Sequence, residues 1–395
     1  MASKLTRNYL PELIALGLRR KRPGMVTVNL TDKCNQHCIY CEIGKGIPTA
    51  SEKRLTVDDL KWIVDEMEIM GIKKISLCGG EPFLFTGIVD VVKYAAAKKV
   101  RCSITSNGMT IHKLSSSEFA ILKQCGTEVN ISIDSFDNEI QTLTRGSELA
   151  LKNAISAVQI LTQHSIPVTV LTCITKYNFL TLFEFITIAS RMGIKQVLFQ
   201  PVIVYSNYAD RTVISEKPNL NVPVDELGLL IQQLEKIIHF ERMNKVETNV
   251  YRILPWISHY IVAAANPQNS WFFNKVLKKF YCREIDAIID ITYDGGIQPC
   301  GLALASIDIF GNREKGLRQL WEQATVGIRK DLNAGRYHPY CNGCCHHFSR
   351  NMLASLLKYP GQNRQTISIM VPLLMKRIIS RMYKQVFALI KSHQQ

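Results

Sequence analysis

The sequence predicts an α/β fold built on a parallel sheet. Apolar segments of strand length alternate with amphipathic segments of helix length six times over residues 25–202. Strict strand–helix alternation is typical of parallel sheets covered by helices. The chain has 395 residues, 47% of them hydrophobic, which is enough for a large core. Polar and glycine-rich turns directly follow several predicted strands. Because sites in such sheets lie at the carboxyl ends of the strands, we expect the functional site there.

The predicted elements follow one another at regular intervals. The first strand covers residues 25–30, and the first helix begins at a Thr56–Asp59 cap and ends at Gly71. The second strand covers residues 75–78. Later strands are expected near residues 100–105, 128–134, 167–174 and 196–201, and helices near residues 87–98, 115–124, 147–163 and 179–192. Past residue 202 the alternation stops, and helices near 225–242 and 255–265 predict a helical connector over residues 203–281.

Three cysteines stand in a CxxxCxxC pattern in the loop after the first strand. They are Cys34, Cys38 and Cys41, with an aromatic residue, Tyr40, before the last of them. Three thiolates can hold three irons of a [4Fe–4S] cube, and the fourth iron is then open to a ligand. The alternatives are three structural thiols or a zinc knot with His37 as the fourth ligand. The position of His37 between two of the cysteines counts against the zinc site.

A second motif follows the second strand. It is the tetrapeptide Gly79-Gly80-Glu81-Pro82, whose glycines allow a close approach of the backbone to a ligand. Taken alone, such a tetrapeptide marks any turn. Its position about forty residues after the cysteines, again at a strand end, makes the combination specific.

The cysteine loop and the Gly-Gly-Glu-Pro turn together resemble the radical SAM superfamily. The resemblance covers residues 25–202 and implies a curved, partial (βα)6 barrel similar to a TIM barrel. It implies a [4Fe–4S] cluster on Cys34, Cys38 and Cys41, whose open iron binds S-adenosylmethionine (SAM). Reductive cleavage of SAM would then give a 5′-deoxyadenosyl radical that abstracts hydrogen from a substrate. A flavodoxin or ferredoxin is the implied electron donor.

The resemblance also implies which residues contact SAM. They lie in the cysteine loop and near the carboxyl ends of the predicted strands. The implied contacts are Tyr40, Gly79, Gly80, Glu81, Ser106, Asn107, Ser132, Asp134, Arg145 and Gln200. In the family, the glutamate of the turn and the adjoining strand edge hold the amino group of SAM. For each residue singly, a turn or a satisfied polar group is the alternative.

Four later cysteines form a second group, with Cys282 and Cys300 followed by the CxxC pair Cys341 and Cys344. Residues 293–300 predict a β-hairpin with an Asp-Gly turn, which can bring Cys282 and Cys300 together. Four thiolates can hold a second [4Fe–4S] cluster or a tetrahedral zinc. The spacing resembles the auxiliary-cluster region of SPASM and Twitch radical SAM enzymes. Because only Cys345 follows, the resemblance implies the Twitch form, with one auxiliary cluster, over residues 282–350. Cys345 remains an alternative ligand to Cys344.

The net charge of +15 is concentrated at the two ends of the chain. Residues 1–24 form a basic arm, and the tail, residues 351–395, predicts a basic amphipathic helix near residues 366–392. This pattern indicates an anionic membrane surface as a partner rather than a nucleic acid. A helix packed on the barrel is the alternative.

No run is apolar enough to span a membrane and no signal peptide is evident. Twelve cysteines then indicate metal binding rather than disulfides. We therefore expect a cytoplasmic protein, in part on the inner membrane face.

Three functions follow from these patterns. The first is a radical SAM enzyme that abstracts hydrogen from a small-molecule or lipid-linked, sugar-like substrate. Its auxiliary cluster would conduct electrons in a dehydrogenation or a rearrangement. The second is a maturase of a ribosomally made peptide, against which the short segment before the first strand counts. The third is a non-catalytic, metal-binding membrane adaptor, which requires the motifs and the barrel pattern to coincide by chance. The sequence identifies neither the substrate nor a catalytic base.

Overall fold

The computed structural model describes most of the segment from the first strand to the second cysteine group. The described residues are 23–41, 52–203, 220–254, 256–265, 282, 284–301, 303, 305, 307–337, 341 and 344–346. The predicted tail helix lies outside them, as does the basic arm up to residue 22. Among the described helices, none combines the length and the apolar character needed to cross a membrane.

One sheet runs through the described residues, with its ten strands in the order β10-β9-β8-β1-β2-β3-β4-β5-β6-β7. All neighbours pair in parallel except β8 with β9 and β9 with β10. The strands are β1 Met25–Asn29, β2 Lys74–Cys78, β3 Arg101–Ser106, β4 Glu128–Ser132, β5 Val168–Ile174, β6 Gln196–Pro201, β7 Glu247–Thr248, β8 Ile288–Ile291, β9 Gly296–Gln298 and β10 Ile307–Asp308.

The helices of the described residues connect and cover these strands. They are α1 Val57–Met70, α2 Ile88–Ala97, α3 Ser116–Gln124, α4 Asn138–Arg145, α5 Ala150–Gln163, α6 Leu182–Arg191, α7 Leu227–Met243, α8 Val250–Ile253, α9 Ile257–Ala265, α10 Glu284–Ala287 and α11 Gly316–Asn333. Alternate strand residues such as Val26, Val28 and Leu77 are fully buried and pack in one core with helix residues such as Leu60 and Ile63. The strand residues between them point to the other face of the sheet, which lines the inside of a curved, partial barrel.

The α/β fold class is confirmed, and the strand–helix alternation appears at the predicted positions. The predicted capping box of α1 is present, with Thr56 accepting from the amide of Asp59, and Gly71 ends the helix in the left-handed conformation. The Asp294-Gly295 turn also joins two antiparallel strands, although these are β8 and β9 and so extend beyond the predicted hairpin.

Four helices of the described residues were not predicted, namely α4, α8, α10 and α11. Helix α4 is short, and its only strong signals are the Asp137 side chain, which accepts from the amides of Glu139 and Ile140, and Gly146 at its end. Helix α11 begins at Gly316, where the amide of Leu317 donates to the carboxylate of Glu66 at 2.7 Å. This bond attaches the later segment to α1 of the barrel.

The later segment also extends the barrel sheet directly. Strand β8 pairs in parallel with β1, with Thr27 opposite Asp290. The ion pair between Arg313 and Asp59 and the packing of the Arg313 guanidinium over the Trp62 ring join the two parts further. The predicted domain limits at residues 202, 281 and 350 stay predictions. The sheet continues past the first two of them, with strands β7 and β8.

Candidate active site

The cysteine loop runs along the carboxyl end of β2. The amide of Gly80 donates to the carbonyl of Thr31 at 2.7 Å, and the amide of Glu81 donates to that of Lys33 at 2.8 Å. A Cβ on Gly79 would stand 2.8 Å from the Thr31 carbonyl oxygen, and one on Gly80 would overlap the Lys33 carbonyl. The two glycines are therefore needed for the close approach of the cysteine loop.

Helix α4 supports the other side of this loop. The amide of Ile39 donates to the carbonyl of Thr144 at 3.0 Å. Gly146, which ends α4 with a φ of 67°, lies against the backbone of His37 so closely that any Cβ would overlap it. The loop is thus clamped between the turn after β2 and the end of α4.

Of the three cysteines of the loop, Cys38 is buried and Cys34 and Cys41 are half-buried. Burial raises the pKa of Cys38 to about 11, and negative charge on Cys41 and Cys34 would raise it further. Burial also raises the pKa of Cys34, whose Sγ lies 3.8 Å from the side-chain nitrogen Nδ2 of Asn107. Neighbouring thiols that disfavour one another's ionisation suit a cationic group that compensates their charge.

No group of three or more Cys, His, Asp or Glu side chains among the described residues is placed to hold a metal ion. A [4Fe–4S] cube takes each thiolate on a different iron. Cys34, Cys38 and Cys41 remain the predicted ligands of such a cluster.

Glu81 ties the turn after β2 to the end of β3. Its carboxylate is fully buried and accepts from the Ser106 hydroxyl and the Asn107 amide, both at 2.8 Å. The amide of Phe83 donates to it at 3.1 Å. Burial raises the pKa of Glu81, and these three donors partly offset that effect. In this structure, protein donors occupy both carboxylate oxygens that the resemblance assigns to the amino group of SAM.

Asn107 connects the end of β3 to the cysteine loop. Its side-chain amide donates to the Asn35 side chain at 2.7 Å, and its carbonyl oxygen accepts from the amide of Met109 at 2.9 Å. The implied contact residues Ser106 and Asn107 therefore lie with Glu81 at one end of the sheet, directly beside Cys34.

Asp134 forms a second connection to the loop. It is fully buried, and its carboxylate accepts from the hydroxyl of Tyr40 at 2.6 Å and from Nη2 of Arg145 at 2.7 Å. The Arg145 guanidinium also lies 5.5 Å from the centre of the Tyr40 ring. Burial raises the pKa of Tyr40 well above its usual range, so the phenol is the hydrogen-bond donor.

Arg145 offers one atom to a ligand. Its Nε is buried and has no hydrogen-bond partner among the described residues. Buried polar atoms are normally satisfied, so an unpaired guanidinium nitrogen beside the cysteine loop fits a carboxylate such as that of SAM.

Two residues that the resemblance implies as SAM contacts lie outside this hydrogen-bond network. Ser132 is half-buried at the end of β4 and Gln200 is exposed on β6, and no hydrogen bond between described residues joins either to the network.

The second cysteine group is brought together in part. Cys282 and Cys300 pack against the same small cluster of Ile285, Ile328 and Leu332. Burial raises the pKa of Cys282 well above its usual range, and negative charge on Glu284, Cys341 and Cys300 raises it further. Three of the four predicted ligands are therefore neighbours.

The fourth ligand of that group has two candidates. Cys344 and Cys345 are both buried, and Cys345 packs in the main hydrophobic core. Burial raises the pKa of Cys345 to about 12, as expected for a thiol among apolar groups. This placement supports Cys344 as the ligand, which stays a prediction, as does the nature of the metal.

Asp290 is a residue of the site that sequence reasoning missed. It stands opposite Thr27 of β1 on the inner face of the sheet, and its carboxylate accepts from the Thr27 side chain and the Gly301 amide. Burial raises its pKa to about 7; the charge of Glu284 adds to this, and that of His346 opposes it. An acidic residue inside the apolar run Ile288–Ile291 was the available signal.

The inner face near Asp290 is polar. Asn29 follows Thr27 on the same face of β1, and the Cys78 thiol of β2 donates to its side-chain oxygen at 3.2 Å. On β4 the Asn130 amide donates to Thr105 of β3 at 3.1 Å. Hydroxyl, amide and carboxyl groups thus line this part of the barrel interior, beside the cysteine loop.

Comparison with known proteins agrees with this geometry. The sequence model of the radical SAM superfamily matches residues 28–210. The chain is 37% identical over 129 residues to GTP 3′,8-cyclase of Listeria welshimeri, which is 31% of this chain and 38% of that protein. It is 27% identical over 213 residues to GTP 3′,8-cyclase of Petrotoga mobilis, which is 51% of this chain and 64% of that protein. The chain therefore spans less than two thirds of the length of each of these two curated relatives.

Solved structures show the same fold at low sequence identity. Streptococcus suis SuiB bound to S-adenosylmethionine gives a TM-score of 0.57 at 16% identity, over 82% of this chain and 71% of SuiB. Native anSMEcpe with bound AdoMet gives a TM-score of 0.56 at 14% identity, over 84% of this chain and 98% of that chain. The region that the family model matches, residues 28–210, contains the cysteine loop, the Gly-Gly-Glu-Pro turn and strands β2 to β6. Residues 28–210, just under half of the chain, therefore form a domain of the radical SAM superfamily.

Proposed function

We propose that this chain reductively cleaves SAM and uses the resulting 5′-deoxyadenosyl radical to abstract hydrogen from a polar substrate in the barrel. The observation that carries the proposal is the attachment of the cysteine loop on two sides. Gly80 and Glu81 hold its start, and α4 holds it near Ile39. A loop clamped in this way presents three thiols at the carboxyl edge of the sheet, where ligands of such folds bind.

Cys34, Cys38 and Cys41 would hold a [4Fe–4S] cluster, which when bound supplies the electron for cleavage and an open iron for SAM. The chain itself supplies orientation. Asn107 lies beside Cys34 and donates to Asn35, so it fixes the loop from the side of β3. The unpaired Nε of Arg145 would bind the carboxylate of SAM.

The substrate would lie against the polar inner face of the sheet. Asp290 is placed to accept a hydrogen bond, and then a proton, from a substrate hydroxyl or ammonium group. Its pKa of about 7, raised by burial, suits a group that exchanges protons near neutral pH. A hydroxylated, sugar-like small molecule or its lipid-linked form matches this lining better than an apolar compound does.

The second cysteine group would serve electron transfer. Cys282, Cys300, Cys341 and Cys344 would hold a fully ligated [4Fe–4S] cluster, which supplies a redox centre without an open iron. Such a centre suits a dehydrogenation, in which the substrate loses a hydrogen atom, a proton and an electron. A rearrangement, which needs no net acceptor, is the alternative within the same proposal.

GTP cyclisation is a second candidate reaction. It is favoured by the identity of 37% over 129 residues to a GTP 3′,8-cyclase. That similarity covers 31% of this chain and 38% of the relative's length.

One assay tests both the SAM chemistry and the substrate. Anaerobically reconstituted protein is incubated with SAM and dithionite, alone, with GTP, or with a panel of cyclic polyols and amino sugars. 5′-Deoxyadenosine is quantified beside that of the variant Cys34/Cys38/Cys41→Ala. We expect 5′-deoxyadenosine from the wild type only, with stimulation by a member of the polyol panel. Wild-type protein that contains iron and forms no 5′-deoxyadenosine contradicts the proposal, and stimulation by GTP alone establishes the second candidate.

We also propose that the basic tail, residues 351–395, attaches the enzyme to an anionic membrane surface. The support is its sequence pattern of apolar residues on one side and cations on the other. Flotation of full-length and 1–350 proteins with vesicles containing acidic lipid tests this. We expect the full-length protein alone to float, and equal behaviour of the two contradicts the attachment.

A further inference from the structure

Hydrogen bonds from other protein groups fix both the backbone and the carboxylate of Asp134. It lies two residues past the end of β4, with no exposed surface. Its amide donates to the Gln141 side chain at 2.8 Å, and its carbonyl accepts from the Asn178 side chain at 2.8 Å. Asn178 also donates to the carbonyl of Cys173 on β5 at 2.8 Å. The backbone of Asp134 is therefore fixed to both α4 and β5.

The carboxylate of Asp134 already has three protein donors. Oδ1 accepts from Arg145 at 2.7 Å and from the amide of Cys173 at 2.9 Å. Oδ2 accepts from the Tyr40 hydroxyl at 2.6 Å. Protein donors occupy both oxygens of the carboxylate, and the carboxylate is buried. It is therefore better suited to stabilising the surrounding protein structure than to binding SAM.

Tyr40 is the point at which this network reaches the cysteine loop. It stands between Cys38 and Cys41, whose backbones are joined by the hydrogen bond from the amide of Cys41 to the carbonyl of Cys38 at 3.1 Å. The phenol is anchored at its hydroxyl by Asp134, and its ring faces the guanidinium of Arg145. A ring fixed at its hydroxyl and its face restricts the short turn that carries it.

We propose that Asp134 is a positioning residue for the cysteine loop, which it holds through the hydroxyl of Tyr40 so that the Cys38 and Cys41 thiols keep one orientation. This inference rests on the proposed function, in which those thiols hold a [4Fe–4S] cluster. It replaces the direct contact with SAM that the resemblance implies for Asp134. It also gives the hydroxyl of Tyr40 a role that a phenylalanine at that position could not fill.

The test compares two tyrosine–aspartate pairs of the same protein. Tyr40→Phe removes the hydroxyl that binds Asp134 and keeps the ring. Tyr94→Phe is the matched control, since the Tyr94 hydroxyl donates to Asp65 at 2.8 Å on the outer helices α2 and α1. Full-length reconstituted proteins are reduced and titrated with SAM, and the change in the electron paramagnetic resonance (EPR) spectrum of the reduced cluster gives the dissociation constant.

For Tyr40→Phe we expect full iron content, a shifted EPR spectrum before SAM is added, and SAM affinity lowered about tenfold, as for loss of one hydrogen bond to a charged acceptor. Tyr94→Phe should match the wild type in all three. Tyr40→Phe with a wild-type spectrum and affinity overturns the inference. A wild type without a cubane spectrum instead shows failure of the proposed function, so the two failures are distinguishable.

Asp134→Asn gives a second arm. Because this change leaves the buried Arg145 charge without its partner, it can prevent folding, and Tyr40→Phe carries the test in that case. Where Asp134→Asn folds, its effect on SAM affinity and that of Tyr40→Phe should not add in the double variant, since both break one contact. Additive effects contradict a role of Asp134 through Tyr40.

Discussion

The backbone of Gly80 lies against the carbonyl group of Lys33 with no room for a Cβ. This contact joins the Gly-Gly-Glu-Pro turn to the cysteine loop and lets the Glu81 amide donate to the same carbonyl at 2.8 Å. The two motifs that identify the site in the sequence are therefore one packed unit in the structure. The glycine serves the approach of protein to protein rather than of protein to ligand.

The first prediction concerns this contact. Gly80→Ala should displace the cysteine loop and remove the iron held by Cys34, Cys38 and Cys41, while the second site keeps its metal. Gly228→Ala is the control, because that glycine lies in α7 with open space around it. Iron analysis after reconstitution checks the result. Equal iron in both variants would show that the loop tolerates the displacement.

The second prediction concerns charge beside Cys34. Asn107→Asp replaces a side chain that donates to Asn35 at 2.7 Å with a carboxylate near the Cys34 sulfur. A negative charge there disfavours addition of an electron, so the midpoint potential of the first cluster should fall. Asn130→Asp, on the inner face of β4, is the control. Potentiometric titration followed by EPR checks this, and an unchanged potential in Asn107→Asp contradicts the assigned geometry.

The third prediction concerns the attachment of the later segment. Glu66 accepts a hydrogen bond from the Leu317 amide at the start of α11. Glu66→Ala removes both this acceptor and a favourable charge at a helix start, so unfolding free energy should fall by about 1–2 kcal/mol. Glu68→Ala, which breaks an exposed ion pair with Lys98, should lower the unfolding free energy by less than Glu66→Ala does. Urea denaturation of the two variants measures the difference, and equal losses would contradict it.

The fourth prediction concerns pH and Asp290. Burial raises its pKa to about 7 in the folded protein, above the value of about 4 expected when unfolded. The protonated form therefore stabilises the fold at low pH, and this stabilisation is lost as pH rises through 7. Asp290→Asn should thus be more stable than the wild type at pH 8, on the order of 1–3 kcal/mol given partial exposure.

The stability difference between Asp290→Asn and the wild type should shrink as pH falls toward 4. Glu128→Gln, which changes an exposed carboxyl at the start of β4, provides the matched comparison. Urea denaturation at pH 8, 6 and 5 measures both variants. A stability difference for Asp290→Asn that is independent of pH would show that its carboxyl is ionised throughout.

Much of the barrel could be predicted because its signals are local. The Thr56 cap, the glycine after α1 and the apolar runs of β1 to β6 each determine their own element. Helix α4 was missed since its eight residues carry few apolar positions, and only the Asp137 cap and the terminal Gly146 mark it. That omission mattered, because α4 supplies Arg145 and the support beneath Ile39.

Long-range relations were not predictable in the same way. No local pattern states that β8 pairs with β1, yet this pairing places Asp290 beside Thr27. The partners of Glu81 are also distant in sequence, and its burial against Ser106 and Asn107 decides that its carboxylate is already occupied. The motifs thus locate the site, whereas tertiary packing decides which of its residues are available to a ligand.

The most direct test of the central claim is the iron, sulfide and zinc content of anaerobically reconstituted protein, measured beside Cys34/Cys38/Cys41→Ala. Two [4Fe–4S] clusters predict about eight irons in the wild type and about four in the variant. This result would place one cluster at each cysteine group. Iron content that is the same in both proteins would contradict a cluster at the loop after β1, and with it the account of the site.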